Sequence, residues 1–398
     1  MRDRKNRRSE EDNEPVDLIG YKKELGRIKA RKAAITLVLL LMLAVVGVVV
    51  FFSIRNHVYT EYEVVGTVEW HPSAGATIVP FGSAFLSYSP DGIHCTNAKG
   101  MDVWSFPYTM QSPMVEVNGE CAAVADRNGR AIYIFDKNGL TGEISVNSPV
   151  QHICLSAGGV VAAVLDDVTT TPIYLFYKDG TQISYFRTTM SRSGYPFAIG
   201  ISENGRLVGV SYLYVDNGQM TSKVAFYNFG DVGRNETDNL VSGYDYQGRL
   251  VPYISFIDNE TAFAVSNDGL MLYEGAQRPT NIATVSLHDE VRAVYHGSNQ
   301  VGLVYFDKTG AGRYRMDIYD KKGNPYSSIS FDMEYDDIFF TGENVVIYNA
   351  TSCLVYTIKG KLKYEGGFED KVLLMIPTSY GSRYQLVTEE GIHLIQLR

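Results

Sequence analysis

The residues of this chain best suited to hold a ligand are Arg192, Tyr195, Tyr214, Asp216, Arg313 and Tyr314. Guanidinium groups offer forked donors, phenols a flat apolar body with a polar tip, and a carboxylate an acceptor. All six lie in or beside the long segments 166–171, 188–194, 214–222 and 307–313, and long loops on a rigid scaffold are where binding concentrates. Their pattern suits binding, not catalysis. The sequence holds no G-x-S-x-G, H-E-x-x-H, P-loop or dinucleotide fingerprint, so no catalytic residue is assigned.

Metal chemistry finds no better support. His94 and His393 sit in two GIH segments at matching places, which reads as a repeated strand and not a ligand pair. Asp136, Asn138 and Gly139 in DKNG, and Asp320 and Gly323 in DKKG, show a fragment of a calcium loop. A full one needs six or more oxygens, so these are read as hairpin turns. Asn235, Asn259 and Asn349 open N-x-S/T triplets, which mean glycosylation only in a suitable host. No metal and no cofactor are expected.

The elements that must position the loops recur. A strand-like segment followed by a turn appears as GIHCTNAKG at Gly92, AIYIFDKNG at Ala131, PIYLFYKDG at Pro172, KVAFYNFGD at Lys223, LMLYEGAQR at Leu270, MDIYDKKG at Met316, CLVYTIKG at Cys353 and GIHLIQLR at Gly391. Before each come two strands joined by a tight turn, as in PMVEV-NG-ECAAVAD from Pro113. Seven units add a fourth strand after the turn. Four antiparallel strands per unit, linked through Asn, Asp and Gly, describe an all-β propeller of eight four-stranded blades, with seven as the alternative if the irregular fourth unit is misread. The last unit has only three strands, and Tyr62 to Trp70 belongs to no unit; together they make one blade that closes the ring.

In such a ring the blade-to-blade connections share a face with the loops joining second to third strands, so the six nominated residues gather on one rim. The polar segment Gly230 to Asn239 falls on the other face and reads as flexible. Most of the 28 tyrosines belong to strands and pack between blades.

Before the repeats lies Ala33 to Ile54, which has no ionisable side chain, and about 20 apolar residues suffice to cross a bilayer. The chain divides into a basic tail at 1–32, a signal-anchor helix at 33–54, a linker at 55–61 and the propeller at 62–398. The tail carries 11 Lys/Arg against 7 Asp/Glu, net +4, and the remainder supplies the rest of the overall charge of -9. Arg27, Lys29, Arg31 and Lys32 crowd the helix on its N-terminal side, which places the tail in the cytoplasm and the large domain outside. A cleaved signal peptide is the competing reading, but its apolar region is shorter and precedes a small-x-small site. The tail is too polar to build a core and reads as disordered up to Leu18. The acidic domain disfavours nucleic acid.

Cys95, Cys121, Cys154 and Cys353 each lie in an apolar run without metal-type spacing, and are read as four buried thiols.

The basic tail, single anchor and acidic propeller resemble a domain-of-unknown-function family of single-pass membrane-anchored propellers of Gram-positive bacteria. More distantly the repeats resemble quinoprotein-like and WD40-like propellers. These resemblances imply the fold and not the function; with no catalytic motif in the chain, the leading reading is a noncatalytic binding, scaffold or sensory module for an envelope protein or cell-wall glycan. The alternative is a glycan-active or quinoprotein-like enzyme. The adjacent cysteines often found in quinoproteins are missing, as is the WD dipeptide in the repeats. Paired carboxylates across the channel would favour the enzyme. With Tyr62 to Trp70 outermost, the anchor is expected on the face opposite the nominated rim.

Overall fold

In the computed structural model, residues 18–167, 170–188, 194–216 and 218–398 are described. They form two compact units, Met1–His57 and Val58–Arg398. In the first, one helix runs from Leu18 to Asn56, 39 residues or about 58 Å at 1.5 Å per residue. Its stretch Lys29–Val50 has a mean hydropathy of 3.0 and is a candidate membrane span. The helix therefore continues through part of the segment expected to be linker. The disorder expected of the tail concerns residues outside those described.

The second unit is an eight-bladed propeller, each blade an antiparallel sheet of four strands. Blade one shows the plan: Thr77–Phe81, Ala84–Ser89, Gly92–Thr96 and Asp102–Pro107, from inside to outside. Blades two to seven occupy residues 113–145, 150–188, 195–247, 253–286, 293–331 and 337–367. Blade eight takes Val372–Pro377, Arg383–Thr388 and Ile392–Leu397 from the C-terminus and Tyr62–Val68 from the start of the unit. Tyr62 pairs with Leu397 and Val68 with Ile392, with a register shift between Val64 and Gly66. Closure leaves no long strand edge at the seam.

β-branched and aromatic residues favour the strands, and the turns supply the rest. Asn118 pairs with Cys121 across Gly119, whose φ of +62° is costly for any residue with a Cβ. Asp136 Oδ1 accepts from the Asn138 amide at 2.8 Å, and Asp320 Oδ1 accepts from Lys322 and Asn324, so DKNG and DKKG are turns as expected.

The core is divided. Eight separate apolar clusters each bridge two neighbouring blades, the last joining Phe85 of blade one to Leu374, Ile376, Val387 and Ile392 of blade eight. Second strands are rich in small residues, such as Ala122, Ala123 and Ala125, or Ala262 and Ala264, all fully buried. They let large side chains of the next blade close in. Tyr212, Tyr273, Tyr305, Tyr364 and Tyr384 are buried in these seams.

Two expectations change. Residues 214–222 are not a loop: the second and third strands of blade four, Leu207–Asp216 and Gln219–Asn228, continue into a projecting hairpin in which Val215 pairs with Met220 and Asp216 with Gln219. The segment from Gly230 forms two short 3-10 turns, Gly233–Asn235 and Thr237–Asn239. The Asn228 side chain braces it, accepting from the Gly230 amide at 2.7 Å and donating to Gln277 O at 2.9 Å, while Arg278 pairs with Glu236.

Candidate functional site

On the face shared by the blade connections and the second-to-third-strand loops, a cavity of about 400 Å³ opens between blades five and six. Leu250, Pro252, Val265, Val291 and Val294 give it an apolar wall, with Tyr253, Asn267, Glu290 and Arg292 as its polar groups. The connections that form it are pinned. Leu250 N donates to Asn267 Oδ1 at 3.0 Å, and Asn267 N returns a bond to Leu250 O at 3.1 Å. Next to Leu250, Ser211 Oγ donates to Val251 O at 2.7 Å. On the far wall Leu287 N bonds Asp268 O and Arg292 N bonds Val304 O at 2.7 Å. A cavity whose walls are already bonded does not have to be ordered by its ligand.

Arg292 separates this cavity from an aromatic cluster on blade six. Its guanidinium lies 4.6 Å from the Phe306 ring centroid and 4.0 Å from Glu290. Tyr314 stacks on Phe306 and Phe331 and meets Tyr335 edge-on at 5.2 Å. Its hydroxyl donates to Glu334 at 2.5 Å, which with burial raises the phenol above its ordinary value. Arg313 pairs with the same Glu334 and lies over the Tyr314 ring at 5.4 Å. Beneath, Asp289 accepts from Lys308 at 2.8 Å and Arg315 at 2.9 Å, which hold its carboxyl below the usual range.

The central channel is lined by the innermost strands. Glu116, on Pro113–Asn118 of blade two, is accessible to solvent, yet burial among the surrounding strands pushes its carboxyl up to about 7. That combination suits the wall of a narrow channel. Ser255 Oγ of blade five lies 3.3 Å from His296 Nε2 of blade six, with Tyr253 two residues before Ser255 on the same strand. Burial raises the Tyr253 phenol and the Glu116 carboxylate raises it further, while burial lowers the His296 imidazole.

Innermost strands contribute two carboxylates, Glu116 and Asp337. Burial raises both, and neither registers on the other's titration. They stand on blades two and seven, and no contact joins them among the described residues. Among the described residues no group of three or more His, Cys, Asp and Glu is placed to hold a metal ion.

Residues 55–397 match a family of unknown function, DUF5711. The chain belongs to that family. No curated protein matches it. Among solved structures, the DUF5711 chain is similar to BamB from Moraxella catarrhalis, at 11% identity and a TM-score of 0.52 over 85% of this chain and 100% of that one. It is also similar to Sqt1 from Chaetomium thermophilum, at 10% identity and a TM-score of 0.55 over 85% and 100%. Sqt1 from Saccharomyces cerevisiae gives 10%, 0.51, 86% and 100%. At such identity the likeness is one of fold.

In this DUF5711 member the nominated residues fall into two groups. Arg313 and Tyr314 come together on Glu334, next to the Arg292 side of the cavity. Tyr195 opens the innermost strand of blade four opposite Leu213, half-buried, with burial and the Asp166 carboxylate raising its phenol. Tyr214 points its hydroxyl at Asp245, 3.4 Å away. No contact links these two to Arg313 and Tyr314 among the described residues. Asp216 ends its strand by backbone, its side chain lying outside the described set, and Arg192 lies outside the described residues. Loop length directed attention away from the cavity, whose walls are short connections. The available signal was their apolar character, LVPY at 250–253 and VRAV at 291–294.

His94 and His393 occupy third strands of neighbouring blades, as their matching segments imply. The four cysteines are unpaired; Cys95, Cys154 and Cys353 are buried, but Cys121 is partly exposed at the end of its strand.

Proposed function

We propose that this chain is a noncatalytic, single-pass membrane-anchored binding module of the bacterial envelope. Its propeller offers the cavity between blades five and six to a protein or cell-wall ligand outside the cytoplasm. The observation that carries the reading is the preformed apolar cavity, walled by bonded connections and flanked by Arg292 and the Arg313–Glu334–Tyr314 cluster. An apolar recess with a few oriented polar groups is the usual form of a recognition site. The candidate span and the basic residues before it support anchoring with the tail in the cytoplasm. The rim residues Tyr195 and Tyr214 serve as a second contact area on the same face, and Asp216 and Arg192 are proposed with them as ligand contacts.

The glycan-active alternative is less well supported, because no contact joins Glu116 and Asp337 among the described residues. The test is site-specific photo-cross-linking in the native cell, with the photoreactive residue at Val291 in the cavity or at Tyr177, exposed on the opposite face. A discrete adduct from 291 and not from 177 is expected. Equal labelling from both positions, or turnover of cell-wall glycan by the purified protein, would reverse the reading.

A further inference from the structure

A second cavity, of about 340 Å³, opens between blades three and four, on the face opposite the cavity described above. Its walls are the first-to-second-strand turn of blade four, the third-to-fourth-strand turn of blade three and the segment that follows Asn228. Arg206, Arg234 and Asp231 give it charge, and Ile183, Phe229 and the exposed Tyr177 give it apolar surface.

The frame that carries the two arginines is bonded. Arg206 N donates to Asn204 Oδ1 at 3.0 Å, and Arg206 O accepts from Phe229 N at 2.8 Å. Asn204 N in turn donates to Asn259 Oδ1 of blade five at 2.8 Å. The Arg206 stem runs along the next segment, its Cδ 4.0 Å from where a Cβ on Gly230 would stand. From Gly230 the chain turns, and Arg234 N donates to Gly230 O at 3.3 Å. Two guanidiniums therefore border one recess.

Neither has a strong partner. The Arg206 guanidinium has no hydrogen-bond, ion-pair or ring partner among the described residues. Arg234 meets Asp231, three residues earlier, at 3.4 Å, with the two side chains 74% and 98% exposed. An ion pair so open to water contributes little and yields to a better acceptor. A carboxylate suffices for one guanidinium fork. A phosphate monoester, with close to two negative charges and three acceptor oxygens, matches two.

We infer that the cavity between blades three and four is a phosphate site. Arg206 and Arg234 take the oxygens of a phosphate monoester, Asp231 gives way into solvent, and the organic body of the ester lies against Tyr177 and Phe229. A soluble ester and a lipid headgroup present this same chemistry. The site is separate from the binding reading above, and so small a ligand leaves no protein adduct at 177, so the in-cell cross-link and the following experiment can fail independently.

The experiment is calorimetric titration of phenyl phosphate into the full-length protein in phosphatidylcholine nanodiscs, with empty nanodiscs as the blank. Saturable binding is expected, at least about tenfold tighter than that of benzoate. Arg206→Gln and Arg234→Gln should each weaken it at least about fivefold. Arg130→Gln, an exposed arginine on the other face, should leave it unchanged. Asp231→Asn should tighten it about two- to fivefold by removing a like charge, an effect that a purely structural ion pair would not give. Unchanged melting temperatures without ligand show that the variants are folded. Replacing part of the phosphatidylcholine with phosphatidic acid distinguishes the sources: loss of phenyl phosphate binding assigns the site to a lipid headgroup, and unchanged binding assigns it to a soluble ester. No saturable binding in phosphatidylcholine, benzoate bound as tightly as phenyl phosphate, wild-type affinity in both arginine variants, or weaker binding by Asp231→Asn would each overturn the inference.

Discussion

Thr67 Oγ1 lies 3.2 Å from Nδ1 of His393, although 326 residues separate them in the chain. The ring seam is therefore bonded through side chains as well as through the ladder from Tyr62–Leu397 to Val68–Ile392. His393 Nε2 in turn lies 3.3 Å from Thr388 Oγ1, so the imidazole joins three strands of blade eight.

Removing this strand should harm the protein more than removing the helix. A chain of residues 58–398 is expected to be monomeric, and one of residues 70–398 to self-associate through the exposed edge of Ile392–Leu397. Sedimentation and thermal melting of the two compare them directly. Equal melting temperatures and a monomer in both would show that closure contributes nothing.

Glu116 predicts a pH dependence. Its carboxyl stands at about 7 against an ordinary value of 4.5. Between those values the unfolded chain releases the proton while the folded chain keeps it, so stability falls as pH rises from about 4.5 to about 7 and levels off above. Glu116→Gln should abolish this slope. Melting curves across that range test it, and an infrared carboxyl band in the wild type should disappear with a midpoint near pH 7.

Gly200 should tolerate no side chain. A Cβ there would lie 2.9 Å from Ile254 O and 3.1 Å from Ser255 Cα, both backbone atoms of the next innermost strand. Gly200→Ala is expected to cost about 1–3 kcal/mol by overpacking. Gly381→Ala, with nothing within 4 Å, should stay within about 0.5 kcal/mol. Denaturant midpoints of the two variants provide the comparison.

Topology can be read by thiol labelling in intact cells. In a Cys121→Ala background, Tyr380→Cys, a position 66% exposed, should react with an impermeant maleimide. Ser9→Cys should react only after lysis. The reverse pattern would place the tail outside.

The fold was legible because every repeat carries its own markers. Turns such as DKNG and DKKG fix the end of the third strand by local bonding from Asp136 and Asp320, and such signals survive in a single sequence. The closing strand was legible by subtraction, since Tyr62–Val68 had no other partner. The candidate site was harder to see because ring closure creates it. Leu250 and Val291 are neighbours only because blades five and six stand side by side, and Glu116 in PMVEV reads as an ordinary outward position until eight such strands enclose a channel. The hairpin at 214–222 was misread from its length. Asn217-Gly218 between two alternating runs is itself a hairpin signal, and Tyr214 lies on a strand for that reason.

The first residues of the propeller also have a mechanical meaning. Tyr59 N bonds Lys363 O, and Glu365 N bonds Tyr59 O, which clasps the start of the unit to blade seven before it enters blade eight. Glu61 and Arg398 then exchange backbone bonds at 3.1 and 2.8 Å. Tension drawn along the chain from residue 57 meets the Tyr59 clasp first and the blade-eight ladder second, so two blades share the load and the ring is not unlaced from its seam by the first pull.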